Sequence, residues 1–298
     1  MTIRAHMIGG SGFIGTRIQQ LALGTDLRIT SSGTEDRPSP DHETSYYKSL
    51  LAENDWIIYL ANMSTPSSTN SQPLAEVEGN LIPLARFLQV AQTASKPRIL
   101  YFSSAGTTYA DDLSGDPTES SRLAPKSYHG AAKVAAECFL STFARQTVSQ
   151  VTVLRPSNVY GPGQVPRPGF GLIATAMDRC RRGEKLQIYG DGQSARDYLY
   201  VDDLCGLVTS ILSMPFEQEF SVYNASSGKG YCNLDVVKVV EKVSGKKMML
   251  EFHQPRSVDA IRVVPNPSKA AEKFGWTATT DLETGVRLTW QWFINQPR

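Results

Sequence analysis

The stretch "MIGGSGFIG", Met7–Gly15, decides the fold of this chain. It closes a short strand pattern, "IRAHMIGG", and carries Gly9, Gly12 and Gly15 at intervals of three residues. Apolar residues then recur at helical spacing in "FIGTRIQQLAL". A glycine-rich turn between a strand and a helix lets the backbone approach a pyrophosphate, which the free N–H groups at the helix start attract. We therefore predict that this stretch binds a dinucleotide.

Strand and helix patterns alternate along the first half of the chain. The strand patterns are "DLRITS", "DWIIYLAN", "RILYFSSA" and "VTVLRP", and the helix patterns are "GNLIPLARFLQVAQ" and "AAKVAAECFLSTFAR". Pro83 lies inside the first of these helices and should kink or restart it. Such alternation predicts an α/β fold, a doubly wound parallel sheet with helices on both faces.

The composition of the sequence changes after Pro156. Glycine and proline crowd "NVYGPGQVPRPGFG", which we expect to be a loop, and two more helices follow, "LDVVKVVEKVSG" and "LETGVRLTWQWF". We assign residues 1–158 to a dinucleotide-binding domain that about residues 197–224 complete. Residues 159–196 and 225–298 then form a smaller mixed α/β part that binds substrate.

The composition excludes several other classes of protein. The 298 residues include 30 basic and 29 acidic side chains, a balance that favours neither a nucleic acid nor a membrane surface as partner. No apolar run approaches the roughly 18 residues of a membrane helix, and the N-terminus reads as a strand, not as a signal peptide. The four cysteines show no paired spacing. We therefore expect no metal site and no disulfide frame, and we expect a cytoplasmic location.

Taken together, the motifs resemble those of the extended short-chain dehydrogenase/reductase family, in its branch of nucleotide-sugar epimerases, dehydratases and reductases. The stretches that carry the resemblance are "MIGGSGFIG", "DWIIYLAN", "EGNL", "FSSAGTTYA", "LRPSNVYGPG", "YGDGQSARDYLYVDDL" and "PRSVD". The resemblance implies a Rossmann-type fold, bound NAD or NADP and a nucleotide-diphosphate sugar as substrate. It also implies a homodimer, joined through the helices that carry Asn80 and Lys133.

The resemblance assigns cofactor contacts residue by residue. The residues concerned are Gly9, Gly12, Phe13, Ile14, Gly15, Leu60, Ala61, Asn80 and Lys133. The end of the second strand selects the cofactor, because an acid there binds the ribose of NAD, whereas a neutral residue beside an arginine accepts the phosphate of NADP. Here that strand ends in "TSSG", so Ser31 and Arg37 favour NADP slightly, although Glu35 and Asp36 are also near.

Other residues match the segments that hold the nucleotide-sugar. They are Asn158, Leu172, Arg196, Arg256 and Asp259. Arginine binds phosphate oxygens through a planar fork, so we expect both arginines on the diphosphate, with surface salt bridges as the alternative. By resemblance, Asn158 lies near the diphosphate or sugar, Leu172 near the base and Asp259 near the nucleotide ribose.

The catalytic segment "SYHGAAK" departs from the family pattern, which has a tyrosine four residues before a lysine. Here His129 stands four residues before Lys133, and Tyr128 stands five before it. Lys133 can still bind the nicotinamide ribose, because that role needs only a cation and a donor. Three interpretations stay open: His129 replaces the tyrosine as acid/base, Tyr128 reaches the site through a shifted helix start, or the site binds a nucleotide-sugar without turning it over.

A second departure lies in "FSSAGTTYA", where Ala105 takes the place of the catalytic serine or threonine. Ser104 and Thr107 are the nearest hydroxyls that could supply the missing hydrogen bond. Dehydratases of the family carry an acidic pair at the positions of Gly106 and Thr107, which disfavours that reaction. We interpret the chain as a nucleotide-sugar epimerase, with an NADPH-dependent keto-sugar reductase and an impaired binding protein as alternatives. The sugar, the base and the carbon stay open.

Overall fold

The computed structural model describes residues 2–33, 35–36, 38–64, 72–94, 97–167, 169–215, 218–256 and 260–296. The strands are β1 (Ile3–Ile8), β2 (Leu27–Ser32), β3 (Trp56–Tyr59), β4 (Arg98–Phe102), β5 (Gln150–Pro156), β6 (Asn158–Tyr160), β7 (Leu186–Tyr189), β8 (Ala195–Tyr200), β9 (Phe220–Ala225), β10 (Gly230–Cys232), β11 (Leu250–His253) and β12 (Arg262–Val263). The helices are α1 (Phe13–Ala22), α2 (Pro40–Glu53), α3 (Pro73–Glu76), α4 (Ile82–Ala91), α5 (Ala105–Thr108), α6 (Tyr128–Thr147), α7 (Leu172–Arg182), α8 (Val201–Ser213), α9 (Asn233–Ser244), α10 (Ser268–Phe274) and α11 (Leu282–Ile294). A π-helical turn, Val77–Leu81, joins α3 to α4.

Six parallel strands form the central sheet, in the order β2-β1-β3-β4-β5-β9. The strand order reverses at β1, which pairs with β2 on one side and with β3 on the other. Ligands of open α/β sheets bind at such a reversal, outside the carboxyl ends of the strands. The predicted α/β fold is confirmed, and all of β9 except its last residue, Ala225, lies within the segment predicted to complete the first domain. The full division into two parts stays a prediction.

Helices cover both faces of this sheet, as the alternating pattern predicts. One core cluster packs Ile18 of α1 and Leu204 of α8 against the sheet, and the other packs Phe87 of α4 and Leu140 of α6. The strands between them are buried on both sides, which is why their sequences read as apolar runs. Removing this apolar surface from water is the main source of the sheet's stability.

Two details of the fold differ from the sequence reading. The expected loop "NVYGPGQVPRPGFG" begins with β6, because Asn158–Tyr160 pair in parallel with β8. Helix α2 was not recognised, since its apolar residues Tyr47 and Leu50 come late in a largely polar segment. Pro83 behaves as predicted: the π-helical turn ends just before α4, and Pro83 lies in the first turn of that helix.

A third core cluster lies in the later part of the chain. It contains residues of α7, α9 and α11 around the strands β7 and β8. Strand β8 pairs with β6, β10 and β12, and β7 pairs with β11. Within the described part of the chain, none of the helices combines the length and the apolar character of a membrane span.

Candidate active site

The glycine-rich turn after β1 depends on glycine at two positions. Gly9 has a φ of +84°, and a Cβ there would lie 2.5 Å from the backbone of Ala61. A Cβ at Gly15 would lie 2.4 Å from the carbonyl oxygen of Gly10. Neither position can hold a side chain unless the backbone moves. These glycines therefore bring the turn, α1 and the end of β3 into close contact.

Gly12 differs from these two, because the protein's own packing leaves room around it. The nearest atom to a Cβ built there is the carbonyl oxygen of Gly9, at 3.8 Å. Gly12 also caps the N-terminus of α1, and as a glycine it has no side chain to accept a hydrogen bond from the first turn. The N–H groups and positive dipole end of the helix thus meet open space, which is the arrangement that a pyrophosphate requires.

A cavity of about 800 Å³ opens over this turn. Its size lies within the range of about 300–1,000 Å³ for small-molecule and cofactor sites. Five residues predicted to contact the cofactor line it: Gly9, Gly12, Phe13, Leu60 and Ala61. The shape of the turn and the size of the cavity fit a dinucleotide.

The remaining predicted cofactor residues lie in different environments. Ile14 packs against the core cluster that contains α1. The Ser31 hydroxyl accepts a hydrogen bond from Gln19 Nε2 at 2.8 Å. Arg37 lies outside the described residues. Beyond the end of β2, the Gly33 N–H donates to Asp36 Oδ2 at 2.7 Å, and Gly33 lines the cavity. The Asp36 carboxylate therefore lies next to the end of β2, although the residues of the strand end itself are uncharged.

The start of α6 separates the two candidate acid/base residues. Ser127 caps the helix, with its hydroxyl accepting from the Gly130 N–H at 3.1 Å. Tyr128 is the first helical residue and is 46% exposed, whereas the His129 side chain is buried. Adjacent helical residues diverge by about 100°, so the two side chains face different surroundings.

His129 belongs to a buried polar cluster with Ser64, Glu76 and Asn80. Its Nδ1 lies 3.0 Å from Ser64 Oγ and 3.9 Å from Glu76 Oε1. Ser64 Oγ donates to Glu76 Oε2 at 2.9 Å. The Asn80 amide donates both to Ser64 Oγ, at 3.0 Å, and to Glu76 Oε2, at 2.7 Å. Asn80, predicted as a cofactor residue, thus holds together a cluster that borders the cavity through Met63, whose N–H donates to Asn80 Oδ1 at 2.8 Å.

Burial and charge set the protonation of the two basic groups. Burial is the main cause that lowers the pKa of His129, to about 4; Lys133 adds to this and Glu76 opposes it. Burial also lowers the pKa of Lys133, to about 8, against the attraction of Glu76 and Glu137. Near neutral pH the imidazole is therefore neutral, and Lys133 keeps most of its positive charge. Lys133 Nζ donates to the Phe102 carbonyl oxygen at 2.9 Å.

The hydroxyls proposed to replace the missing serine lie around α5. Ala105 is fully buried at the first position of that helix. The Thr107 hydroxyl is also buried, and no described residue forms a hydrogen bond with it. Ser104 caps the helix, and its carbonyl oxygen accepts from the Thr108 hydroxyl at 2.7 Å. A buried hydroxyl without a protein partner is costly, so Thr107 has an unused hydrogen bond to offer, although neither Thr107 nor Ser104 lines the cavity.

Of the residues predicted to hold the substrate, the four that the structure describes do not line the cavity. Asn158 donates to the Asp197 carbonyl oxygen at 2.9 Å, and Leu172 begins α7. Arg196 donates to the carbonyl oxygen of Ala195 at 2.9 Å, and the Arg256 guanidinium lies 4.4 Å from the centre of the Tyr189 ring. Asp259 lies outside the described residues.

Sequence reasoning missed Ser64 and Glu76. Glu76 stands four residues before Asn80, a spacing that places both on one helical face, and this signal was available. Nothing in the sequence around Ser64 distinguishes it from its polar neighbours.

The first turn of α8 carries two acids, Asp202 and Asp203, and neither caps the helix, whose N-cap is Tyr200. Asp202 accepts two hydrogen bonds from Arg17, and Asp203 accepts from the backbone of Thr279 and Thr280. Both carboxylates thus link α8 to other parts of the chain.

The fold and the cavity define a dinucleotide-binding protein of the Rossmann type. The chain belongs to the NAD-dependent epimerase/dehydratase family, whose model matches residues 5–226. This confirms the family resemblance stated above.

Individual relatives cover nearly the whole chain. A UDP-glucose 4-epimerase of Mycolicibacterium smegmatis is 26% identical, over 99% of this chain and 99% of its own. A dTDP-4-dehydro-6-deoxyglucose reductase of Escherichia coli is 24% identical, over 93% of each chain. Among solved structures, the UDP-glucose 4-epimerase of Thermotoga maritima with UDP-glucose is 25% identical with a TM-score of 0.86, covering 98% of this chain and 99% of that one. The Thermus thermophilus UDP-glucose 4-epimerase in complex with NAD gives the same identity, TM-score and coverage.

Proposed function

We propose that this chain is an NAD-dependent epimerase that inverts C4 of a UDP-sugar. The observation that carries the proposal is the buried pair His129 and Lys133, which matches the family's acid/base and lysine positions in the sequence. Hydrogen bonds through Ser64 and Asn80 link His129 to Met63 in the lining of a cavity fit for a dinucleotide. Family membership and the names of the relatives support the reaction and the UDP group. The exposed position of Tyr128 favours His129 as the acid/base.

NAD, when held over the glycine turn after β1, would supply hydride transfer from C4 and back to its other face. His129 Nε2 takes the proton of the C4 hydroxyl as the hydride leaves, so that the carbon becomes a ketone. The keto-sugar rotates within the site and presents its other face. His129 then gives the same proton back to the oxygen as C4 is reduced. A neutral imidazole suits the first step, because it can accept a proton without first losing one.

Lys133 keeps a positive charge close to these groups. We propose that its ammonium group binds the nicotinamide ribose. Its positive charge also stabilises the negative charge that develops on the C4 oxygen as the hydroxyl loses its proton. Thr107 supplies the second hydrogen bond to the reacting oxygen, which Ala105 cannot give. Arg196 and Arg256 hold the diphosphate.

Three contacts complete the proposed substrate site. Asn158 contacts the diphosphate or the sugar, Leu172 packs against the uracil, and Asp259 binds the nucleotide ribose. Because the first two lie outside the cavity lining, we expect the nucleotide-sugar to extend from the cavity toward β8 and α7.

For the cofactor we propose NAD. The slight preference for NADP that rested on Ser31 and Arg37 is not confirmed, and the solved relative from Thermus thermophilus is described in complex with NAD. The Asp36 carboxylate beside Gly33 supports NAD as well, because an acid at this strand end binds ribose hydroxyls and repels a phosphate.

We also propose a homodimer in the cytoplasm. The pairing would use α4 and α6, and Phe139 on α6 leaves 53% of its surface exposed, as a residue at an interface between copies would in a single chain. All four cysteines are free, which agrees with a reducing compartment. Sedimentation of the purified chain tests the dimer, and a monomer at micromolar concentration would contradict it.

A keto-sugar reductase is the second candidate, and the Escherichia coli relative is the observation that favours it. One experiment separates the two. The purified chain is incubated with UDP-glucose or UDP-galactose without added cofactor, and the sugars are separated by chromatography. Epimer formed with copurified NAD supports the proposal. Consumption of added NADPH with a dTDP-keto-sugar, and no epimer, would show a reductase; UDP binding without either reaction would show an impaired enzyme.

A further inference from the structure

The hydrogen bonds around His129 determine which of its ring nitrogens carries the proton. We infer that Ser64 and Glu76 are positioning residues that keep the proton on Nδ1 and leave Nε2 free to exchange a proton with the sugar hydroxyl. The role of Nε2 rests on the proposed function, whereas the position of the proton rests on the cluster alone.

Ser64 decides the direction of these hydrogen bonds. Its hydroxyl has one proton and two lone pairs. Three groups surround it: Glu76 Oε2 at 2.9 Å, Asn80 Nδ2 at 3.0 Å and His129 Nδ1 at 3.0 Å. One of these partners must take the proton, and the other two must donate to the lone pairs.

The chemistry of the partners leaves one consistent arrangement. An ionised Glu76 only accepts, and the Asn80 NH₂ group only donates. If Ser64 gave its proton to His129, its oxygen would face the Glu76 carboxylate at 2.9 Å with no proton between them. Ser64 therefore donates to Glu76, and its second lone pair accepts the Nδ1 proton of His129. Nε2 then carries a lone pair.

The burial of the cluster makes any other arrangement of the protons unfavourable. Glu76 is 2% exposed, and Ser64 and His129 are almost as buried. Water cannot replace a lost partner in such a place, so a mismatched proton leaves a buried polar group unsatisfied. Glu76 has a second role, because its Oε1 lies 3.9 Å from Nδ1 and its charge opposes the effect of burial once the ring gains a proton.

The change from tyrosine to histidine explains why such positioning is needed. A tyrosine has a single hydroxyl that both donates and accepts, so its proton is always at the reacting atom. An imidazole has two nitrogens, and the neutral ring serves as a base only through the bare one. A carboxylate that acts through an intervening group on Nδ1 solves this problem, as outer partners do for other functional histidines.

The experiment measures the tautomer in the full-length protein with its copurified dinucleotide. The chain has four histidines, so ¹⁵N-labelled histidine gives few ring signals, and His129→Asn identifies the signal of interest. We expect about a tenfold excess of the Nδ1–H form in the wild type near pH 7, where the ring is neutral. Ser64→Ala should abolish that excess, because the acceptor for Nδ1 is gone. A ring that carries its proton on Nε2, or an excess unchanged in Ser64→Ala, would overturn the inference.

Turnover provides the second readout. In Glu76→Gln we expect kcat to fall by about 10–100-fold, the range found when an outer partner that orients a metal-binding histidine is removed. KM for the nucleotide-sugar should stay within about twofold, because Glu76 does not touch the substrate in this account. Glu78→Gln makes the same chemical change at an exposed position two residues away and serves as the matched control. Equal kcat in the two variants would contradict a positioning role.

The two readouts also separate this inference from the proposed function. If the wild type forms no epimer, the proposed function fails, but the tautomer is still measurable and decides the positioning by itself. If epimer forms and the tautomer is the opposite one, the function stands and the positioning is wrong.

Discussion

The glycine turn after β1 and the cluster around His129 are two halves of one proposed site, but they are specified in different ways. In the turn, Gly9 and Gly15 are required because backbone atoms lie 2.5 Å and 2.4 Å from where a Cβ would be. In the cluster, side chains from three separate segments meet: Ser64 after β3, Glu76 and Asn80 of the α3–π-helical segment, and His129 of α6. A site that depends on backbone geometry requires glycines at a fixed spacing in the sequence. A site made of side chains can tolerate a change of residue type, provided that each donor still meets an acceptor.

The largest effect should come from the centre of the cluster. In His129→Ala we expect turnover to fall by about 10²–10⁴-fold, the usual contribution of a positioned acid/base. Tyr128→Phe should be mild, since that side chain is 46% exposed. His129→Tyr restores the family pattern and should leave activity intact or raise it. A full loss in Tyr128→Phe with a silent His129→Ala would show that the acid/base is Tyr128.

The glycine turn should respond next in size. Gly9→Ala places a Cβ against the backbone of Ala61, so we expect dinucleotide affinity to drop by about 100-fold, or about 2.7 kcal/mol. Gly24→Ala is the matched control, because Gly24 has a similar φ of +81° but no atom within 4 Å of the new Cβ. Calorimetric titration with NAD measures both variants. Equal affinities would mean that the close approach at Gly9 does not shape the cofactor site.

The substrate arginines lie outside both regions. Arg196→Ala and Arg256→Ala should each weaken UDP binding by about 1.5–3 kcal/mol, the range for hydrogen bonds to charged groups. Arg287→Ala, on the exposed side of α11, controls for loss of surface charge. Fluorescence titration with UDP measures the three variants. Unchanged binding in both of the first two would refute their assignment to the diphosphate.

The cluster should also affect stability through pH. The pKa of His129 is about 4 in the folded protein, below its unfolded value of 6.5, so the unfolded chain takes up a proton first as the pH falls. The contribution of neutral His129 to the free energy of unfolding is therefore fully present above pH 6.5 and is lost as the pH falls toward 4. We expect His129→Asn to reduce the loss between pH 6.5 and 5 by on the order of 1–2 kcal/mol. Urea unfolding at both pH values measures this, and His42→Asn, a change at an exposed histidine, is the control.

The smallest effect concerns the choice of cofactor at the edge of the glycine turn. Asp36→Asn removes the charge beside Gly33 but keeps a hydrogen-bond acceptor there. We expect the preference for NAD over NADP to fall by about tenfold, or about 1.4 kcal/mol. Glu35→Asn provides the control at the neighbouring exposed acid. If wild type and Asp36→Asn show the same ratio of affinities, Asp36 does not select the cofactor.

The same contrast explains what the sequence could predict. The alternating patterns predicted the sheet, and the spacing of Gly9, Gly12 and Gly15 predicted the turn, because both follow from backbone geometry. The position of His129 relative to Lys133 was visible, since four residues make one helical face. Ser64 was not, because it reaches His129 only after the chain has folded from β3 to α6. Asp36 was noticed as a nearby charge, but its position depends on a turn that no simple pattern specifies.

The most direct test of the central claim is a crystal structure of the chain with NAD and a UDP-sugar. We expect His129 Nε2 to lie within about 3 Å of the C4 oxygen, at hydrogen-bond distance, and Nδ1 to keep its hydrogen bond to Ser64. Tyr128 should point away from the sugar. A Tyr128 hydroxyl at the C4 oxygen, with His129 out of reach, would contradict the claim that histidine has taken over the acid/base role.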